Sequence, residues 1–129
     1  MTVENVNALV NRFFPGMFGV TFTEVSPGRS VCRSTITPKL HNPGNILHGA
    51  VPYTLADTGM AIALMLSLEG GKRFSTLEIK MSYFNAVTEG DIVCTTVVIK
   101  KGNRIAFLES EVANGETVIA RASGTYYIS

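Results

Sequence analysis

Residues 50–71 have the sequence AVPYTLADTGMAIALMLSLEGG, and this stretch decides the fold. Apolar side chains cover nearly every face of a helix drawn through it, which predicts a long helix surrounded by other structure rather than lying on a surface. Pro52 is tolerated only near a first turn, where no amide hydrogen is needed, so we expect the helix to start close to Gly49. The pair Gly70-Gly71 predicts its end. This helix is the predicted core of the protein.

Strand-like runs lie on both sides of this stretch. GVTFTEV and RSVCRSTIT precede it, separated by the turn pair Pro27-Gly28. A short amphipathic helix, with Thr2 as its N-cap and Pro15-Gly16 as its end, is expected to open the chain. Four more runs follow the central stretch: STLEIKMSYFNAV, DIVCTTVVIKK, RIAFLESEVAN and ETVIARASGTYYIS. The short turns between these four runs predict antiparallel neighbours.

Alternation within the first of these four runs indicates a sheet with one apolar face. Its apolar side chains alternate with polar ones: Leu77, Ile79, Met81 and Tyr83 against Glu78, Lys80 and Ser82. One apolar helix and about six such strands predict an α+β fold in which a curved antiparallel sheet wraps around one long central helix. At 129 residues the chain suffices for one core, so residues 1–129 are predicted to form a single domain.

Composition excludes several classes of function. The net charge is +1 and the basic residues are scattered, so we expect no nucleic-acid partner. Cys32 and Cys94 lie in apolar alternating runs, which predicts buried thiols in a reducing compartment. The N-terminus lacks the pattern of a signal peptide and Asp57 interrupts the longest apolar stretch, so we expect a cytoplasmic protein without a membrane span. No residue spacing suggests a metal site or a nucleophile elbow, and no cofactor is expected.

Asp57 is the exception within the central helix. An unpaired carboxylate in a buried position costs several kcal/mol, so a specific reason for it is needed. An internal hydrogen-bond partner or a helix face open to solvent would supply one, and a role in chemistry would supply another.

The string NPGNILHGAVPYTLAD, residues 42–57, resembles the motif of hotdog-fold thioesterases of the PaaI-like type. In that family an asparagine, a His-Gly pair and an acidic residue recur at these spacings, and the order of elements over roughly residues 15 to 128 is similar as well. Two positions depart from the family pattern, because Asn45 and Ala50 stand where glycine is usual. Asparagine tolerates a positive φ better than other non-glycine residues, so we expect the loop to form.

Thioester hydrolysis needs a polarised carbonyl and a delivered water or carboxylate. The Gly49 amide, at the positive end of the helix dipole, suits the first need and Asp57 suits the second. Eight residues of helix separate them by about 12 Å, too far for both to touch one carbonyl. A twofold dimer with antiparallel helices would join the amide of one chain to the carboxylate of the other, and the resemblance implies the same arrangement.

The resemblance implies roles for further residues, each of which also has a structural interpretation. Asn42 would hold the attacking water with Asp57, or serve only as a turn residue. His48 would orient the loop or approach the thioester sulfur, or be a satisfied core histidine. Thr76 would help to place the water, and a one-residue slip of register would exchange it with Ser75.

Substrate-binding residues are less defined by the sequence. Coenzyme A carries phosphates, which makes Lys101, Arg104 and Arg121 candidates at the rim of a dimer, although solvated surface charges have the same appearance. Four large side chains are candidates for an acyl pocket or, equally, for the core: Met60, Leu64, Tyr83 and Phe84.

These observations predict a hydrolase of acyl-CoA thioesters with an aromatic or a short- to medium-chain acyl group. Whether Asp57 acts as general base or as nucleophile stays open, as does the choice between a dimer and a tetramer built as a dimer of dimers. The alternative functions are an acyl-CoA-binding or regulatory module without catalysis, and a hotdog hydratase, whose aspartate and histidine would be spaced differently.

Overall fold

Six antiparallel strands and two α-helices make up the structure, a computed structural model that describes residues 1–129. The elements are, in chain order, α1 Val3–Val10, β1 Thr21–Ser26, β2 Arg29–Thr35, α2 Ala50–Met65, β3 Phe74–Tyr83, β4 Asp91–Lys101, β5 Ile105–Asn114 and β6 Thr117–Ile128. Short 3-10 helices span Phe14–Phe18 and Pro38–Leu40.

All six strands form one sheet in the order β1-β2-β4-β5-β6-β3. Helix α2 packs across its inner face, against β2, β4 and β5. The approach is close at Gly59, whose carbonyl accepts a hydrogen bond of 2.8 Å from the Ser30 hydroxyl. A Cβ at Gly59 would lie 2.8 Å from Thr96 Oγ1, so a larger residue there would have to displace the buried Thr96 side chain. The predicted α+β fold, with a sheet around one long helix, is confirmed.

The next helix residue, Met60, packs against β6, where Gly124 leaves room for it. A Cβ at Gly124 would lie only 2.5 Å from the sulfur of Met60 on α2. On the opposite side of the core, Cys32 and Cys94 are neighbours across β2 and β4, and both are free and fully buried. The prediction of buried thiols is therefore confirmed.

The bounds of both helices differ in part from the predictions. Helix α2 begins where expected, with Gly49 as N-cap, but it ends at Met65 rather than at Gly70-Gly71. The Ser67 hydroxyl donates to the Leu64 carbonyl and competes with continuation of the helix. In α1 the Thr2 cap is confirmed, while the helix ends at Val10 and the predicted stop, Pro15-Gly16, lies in the following 3-10 helix.

Two predictions about the strands were wrong. The β3–β4 connection does not join neighbours: β3 pairs with β6 at the edge of the sheet, and residues 84–90 cross the end of the sheet to reach β4. Within β3, the register shifts between Thr76 and Glu78, which places Leu77 in a β-bulge, 56% exposed, instead of on the inner face.

Helix α2 is also less enclosed than expected. One stripe along it is only partly covered within the chain, and the stripe consists of Ala50, Tyr53, Asp57, Ala61 and Met65. Spacings of three and four residues put these positions on one helix face. Asp57 therefore lies on the open side of the helix rather than in the core.

Candidate active site

The segment before α2 forms a compact, hydrogen-bonded loop. His41 and Leu47 form an isolated β-bridge, and the Asn42 amide donates to the Ile46 carbonyl at 2.8 Å. Asn45 has a φ of 62°, the only positive value among the non-glycine residues. The expectation that asparagine supports the loop at this position is confirmed.

The amides of the first turn of α2 are satisfied, with one exception. His48 supplies two acceptors: its Nδ1 accepts from the Ala50 amide at 2.9 Å and its carbonyl accepts from the Val51 amide at 3.0 Å. Pro52 has no amide hydrogen. The Gly49 amide has no acceptor within the chain. This leaves one unpaired N–H group, at the positive end of the helix dipole, available to a ligand.

Tyr83, at the end of β3, holds the carbonyl side of the same glycine. Its hydroxyl donates to the Gly49 carbonyl at 2.7 Å, and a Cβ at Gly49 would lie 3.2 Å from the tyrosine Cζ. Burial, and to a smaller extent the neighbouring Tyr53, raises the pKa of Tyr83. The phenol therefore stays a hydrogen-bond donor at neutral pH. A groove of ≈ 570 Å³ opens here, lined by Asn42, Ile46, Leu47, His48, Gly49, Ala50, Tyr83, Phe84, Asn85 and Ala86.

The Asn42 side chain serves the loop and also lines this groove. Its Oδ1 accepts from the Gly44 amide at 2.8 Å, which is the turn contact expected of a loop asparagine. Its side-chain nitrogen has no partner within the chain and is available as a donor.

The Asp57 carboxylate is half-buried and has a partner that the sequence did not suggest. Its Oδ1 accepts a hydrogen bond of 3.0 Å from the Tyr126 hydroxyl, on β6. Its Oδ2 has no protein partner. Since no buried polar side-chain atom of the chain lacks a partner, Oδ2 is open to solvent. An internal partner and an open helix face, both considered from the sequence, are thus found together.

The register of β3 against β6 separates the two candidate hydroxyls. Thr76 lies opposite Tyr126, on the side of the sheet that faces α2, whereas Ser75 lies opposite Tyr127, on the outer side. Burial, and then the charge of Asp57, raises the pKa of Tyr126, while the Thr76 hydroxyl acts in the opposite direction. Sequence reasoning missed Tyr126, although the inward row of β6 changes there from three small residues, Ala120, Ala122 and Gly124, to large side chains.

The candidate residues therefore form two groups within one chain. We call Asn42, His48 and Gly49 the loop half of the site, and Asp57, Thr76 and Tyr126 the helix half. The groove of the loop half has neither Asp57 nor Thr76 in its lining. The chain thus assembles each half but keeps the two halves apart.

The remaining candidates lie outside both halves. Met60 is fully buried against Gly124. The Lys101 ammonium donates to the Ser67 carbonyl, Arg104 is exposed in the β4–β5 turn, and Arg121 pairs with Glu111 at 2.8 Å. A role in substrate binding stays a prediction for Met60, Ser75, Lys101 and Arg104.

No group of three or more His, Cys, Asp or Glu side chains is arranged to hold a metal ion. The longest helix, α2, has 16 residues, and none of the helices combines the length and the apolar character needed to cross a bilayer.

Comparison with known proteins gives matches along most of the chain. The family model described as the thioesterase superfamily matches residues 44–120. Human acyl-coenzyme A thioesterase 13 is 28% identical over 108 residues, which cover 83% of this chain and 76% of that protein. The crystal structure of zebra fish thioesterase superfamily member 2 has a TM-score of 0.88 at 27% identity, covering 100% and 99% of the two chains. A Haemophilus influenzae thioesterase has the same fold, with a TM-score of 0.94 at 22% identity and coverage of 100% and 91%.

Proposed function

This chain belongs to the thioesterase superfamily and is a thioester hydrolase of hotdog fold, and from that premise we propose that it hydrolyses acyl-CoA esters at a site shared by two subunits. The loop half of one subunit polarises the thioester carbonyl. The helix half of the other delivers the attacking oxygen. The products are the free acid and coenzyme A.

One observation carries this proposal, namely the unpaired amide of Gly49. An N–H group without an acceptor at a helix N-terminus is suited to stabilise the oxyanion that forms when a thioester carbonyl is attacked. Tyr83 restrains the other side of this glycine through its carbonyl. The donor is therefore fixed before the substrate arrives, so little reorganisation is needed during the reaction.

Asp57 Oδ2 is the attacking or proton-accepting atom in the proposed reaction. As general base it takes a proton from a water held by Thr76 and Asn42, the water oxygen bonds to the carbonyl carbon, and the carbon–sulfur bond breaks. As nucleophile it bonds to that carbon itself, and water then hydrolyses the anhydride. In the general-base route Asp57 passes its proton to the thiolate that leaves near His48. In the nucleophile route the water that cleaves the anhydride supplies this proton and restores the carboxylate, so both routes release the thiol of coenzyme A.

The distance between the halves supports a dimer. Gly49 and Asp57 are separated by about 12 Å along α2. Strand β3, Phe74–Tyr83, is the last strand of the sheet, so the backbone groups along its free edge have no partner strand. The same strand carries Thr76 close to the open stripe of α2. Antiparallel pairing of two such edges around a twofold axis would bring the two open stripes together. Assembly of these dimers into a tetramer stays a prediction, in which exposed outer-face side chains such as Val97 and Phe107 would be covered.

The side chains at the rim of the groove favour a substrate with a small acyl group that is flat or apolar. Tyr83 and Phe84 line it and each is 53% exposed, so an aromatic or a short- to medium-chain acyl group would bury apolar surface against them. We propose that the reaction takes place in the cytoplasm.

Thiol release from a panel of acyl-CoA esters tests the proposal. Wild-type protein is expected to release thiol, and Asp57→Asn to lower kcat by about 10²- to 10⁴-fold, since it removes the base or nucleophile. Glu116→Gln is the matched control, because Glu116 is an exposed carboxylate in the β5–β6 turn. Binding of esters without thiol release would instead support a non-catalytic acyl-CoA-binding protein. An Asp57→Asn variant as active as wild type would exclude chemistry through this carboxylate.

A further inference from the structure

The Tyr126 hydroxyl contacts the candidate catalytic carboxylate, and we infer that Tyr126 is a positioning residue that binds Asp57 Oδ1 and leaves Oδ2 as the single reactive oxygen. The inference rests on the proposed function, because it concerns the orientation of the same carboxylate. It adds a residue from the last strand, 69 positions away from Asp57 in the sequence.

The tyrosine ring is held firmly enough to orient a partner. Its side chain is fully buried, and the Phe74 ring packs against it edge-on, with centroids 6.0 Å apart. On the other side, the missing Cβ of Gly124 would lie 3.2 Å from Tyr126 Cε1. The hydroxyl reaches both Oδ1, at 3.0 Å, and the backbone carbonyl of Asp57, at 3.5 Å. Rotation of the carboxylate would therefore break the hydrogen bond from the Tyr126 hydroxyl to Oδ1, because the packed ring cannot move with the carboxylate.

The phenol remains a donor throughout the working range of an enzyme. Burial and the charge of Asp57 both raise the pKa of Tyr126, so it does not ionise near neutral pH. The contact is thus a hydrogen bond from a neutral donor to a charged acceptor, a type stronger than one between two neutral groups.

The surroundings of this pair contain no competing charge. The other ionisable group that acts on Tyr126 is Tyr53, one turn before Asp57 on α2, and Thr76 contributes a neutral hydroxyl. The inward side chains of β2, β4 and β5 beneath α2 are apolar, hydroxyl or thiol groups, among them Cys32 and Cys94. All three ion pairs of the chain lie elsewhere, on exposed side chains. Tyr126 is therefore the one protein donor to this carboxylate.

Tyr126→Phe tests the inference, because it keeps the ring and removes the hydroxyl. With the best ester, kcat is expected to fall about 10-fold while KM changes less than about twofold, since the loss affects the geometry of attack rather than ester binding. The acid limb of the pH–rate profile is expected to move to higher pH, because a carboxylate that loses a hydrogen-bond donor holds its proton more strongly. Tyr127→Phe is the matched control: it loses the same hydroxyl on the outer face of the sheet.

A carboxyl ¹³C NMR titration of Asp57 gives a readout that does not depend on activity. The midpoint is expected at higher pH in Tyr126→Phe than in wild type and unchanged in Tyr127→Phe. Should Tyr126→Phe not fold, Asp57→Asn supplies the reciprocal test, in which the Tyr126 ¹³Cζ resonance is expected to shift on loss of the anionic acceptor.

The outcomes separate the two proposals. Wild-type protein without thiol release overturns the proposed function, and the NMR midpoints then still decide whether Tyr126 holds the carboxylate. Loss of activity in Asp57→Asn, combined with a wild-type kcat, pH profile and midpoint in Tyr126→Phe, overturns the inference alone. In the reciprocal test, an unshifted Tyr126 resonance also overturns it.

Discussion

The loop half and the helix half of the site are built by different means. In the loop half, the contacts that prepare Gly49 and Asn42 are mostly local, such as the Ala50 amide to His48 and the Gly44 amide to Asn42, each spanning two residues. In the helix half, Asp57 depends on Tyr126, 69 residues later. The first half presents a backbone donor and the second presents a side-chain acceptor. The loop half can therefore be recognised as a local motif, whereas the helix half exists only once the sheet has formed.

The largest effect expected on the loop half comes from deleting its backbone donor. Gly49 has a φ of −58°, a value that proline adopts, so Gly49→Pro removes the N–H group with little change in backbone angle. Loss of one oxyanion donor is expected to lower kcat by about 10²- to 10³-fold.

Gly49→Ala is the matched control for this change, because it keeps the amide and adds the same Cβ contact with the Tyr83 ring, at 3.2 Å. Steady-state kinetics of the two variants isolate the contribution of the N–H group. Equal losses in both would show that crowding of Tyr83, not the amide, is what matters.

Combining one defect from each half tests whether the halves come from different subunits. Gly49→Pro and Asp57→Asn chains, co-expressed with two different tags, can be purified as mixed dimers. One of the two sites is then intact, so about half of the wild-type activity per dimer is expected from two inactive parents. Mixed dimers as inactive as their parents would place the whole site within one chain.

A smaller effect is expected from the contact that steadies the loop half. Tyr83→Phe removes the hydrogen bond to the Gly49 carbonyl but retains the ring beside the groove. A neutral hydrogen bond contributes about 1 kcal/mol, so a fall in kcat of about 5-fold is expected, with the pH profile unchanged. The contrast with Tyr126→Phe, for which the acid limb moves, distinguishes a donor that serves the carbonyl-binding amide from one that serves the carboxylate. A shifted profile in Tyr83→Phe would remove that distinction.

The sequence was sufficient for the central helix and the sheet around it, while the catalytic roles of the loop half stay a prediction. Apolar periodicity and the position of Pro52 located the start of α2 and with it the Gly49 amide, whereas Asn42 and His48 were named through the resemblance of residues 42–57 to a family motif. The end of α2 was misplaced because the Ser67 hydroxyl, before the later glycines, binds the Leu64 carbonyl in the last turn. A residue pattern reflects local propensities along the chain and does not show which hydrogen bonds form at a helix end.

Long-range pairing accounts for the other differences. Short turns suggested that β3 adjoins β4, yet the strand lies at the far edge of the sheet beside β6. That placement sets Thr76 opposite Tyr126 and brings the phenol to Asp57, so an error in strand order hid a contact of the site. The bulge at Leu77 could not be foreseen either, because alternation in the sequence continues through it.

The distribution of tyrosines has a consequence for optical spectroscopy. The chain contains no tryptophan and four tyrosines, so near-ultraviolet absorption and intrinsic fluorescence arise chiefly from tyrosine. Two of the four phenols, those of Tyr83 and Tyr126, donate hydrogen bonds to groups of the candidate site. Ligand entry or a change in the protonation of the carboxylate should therefore alter the tyrosine emission, so events at the candidate site can be followed without a label.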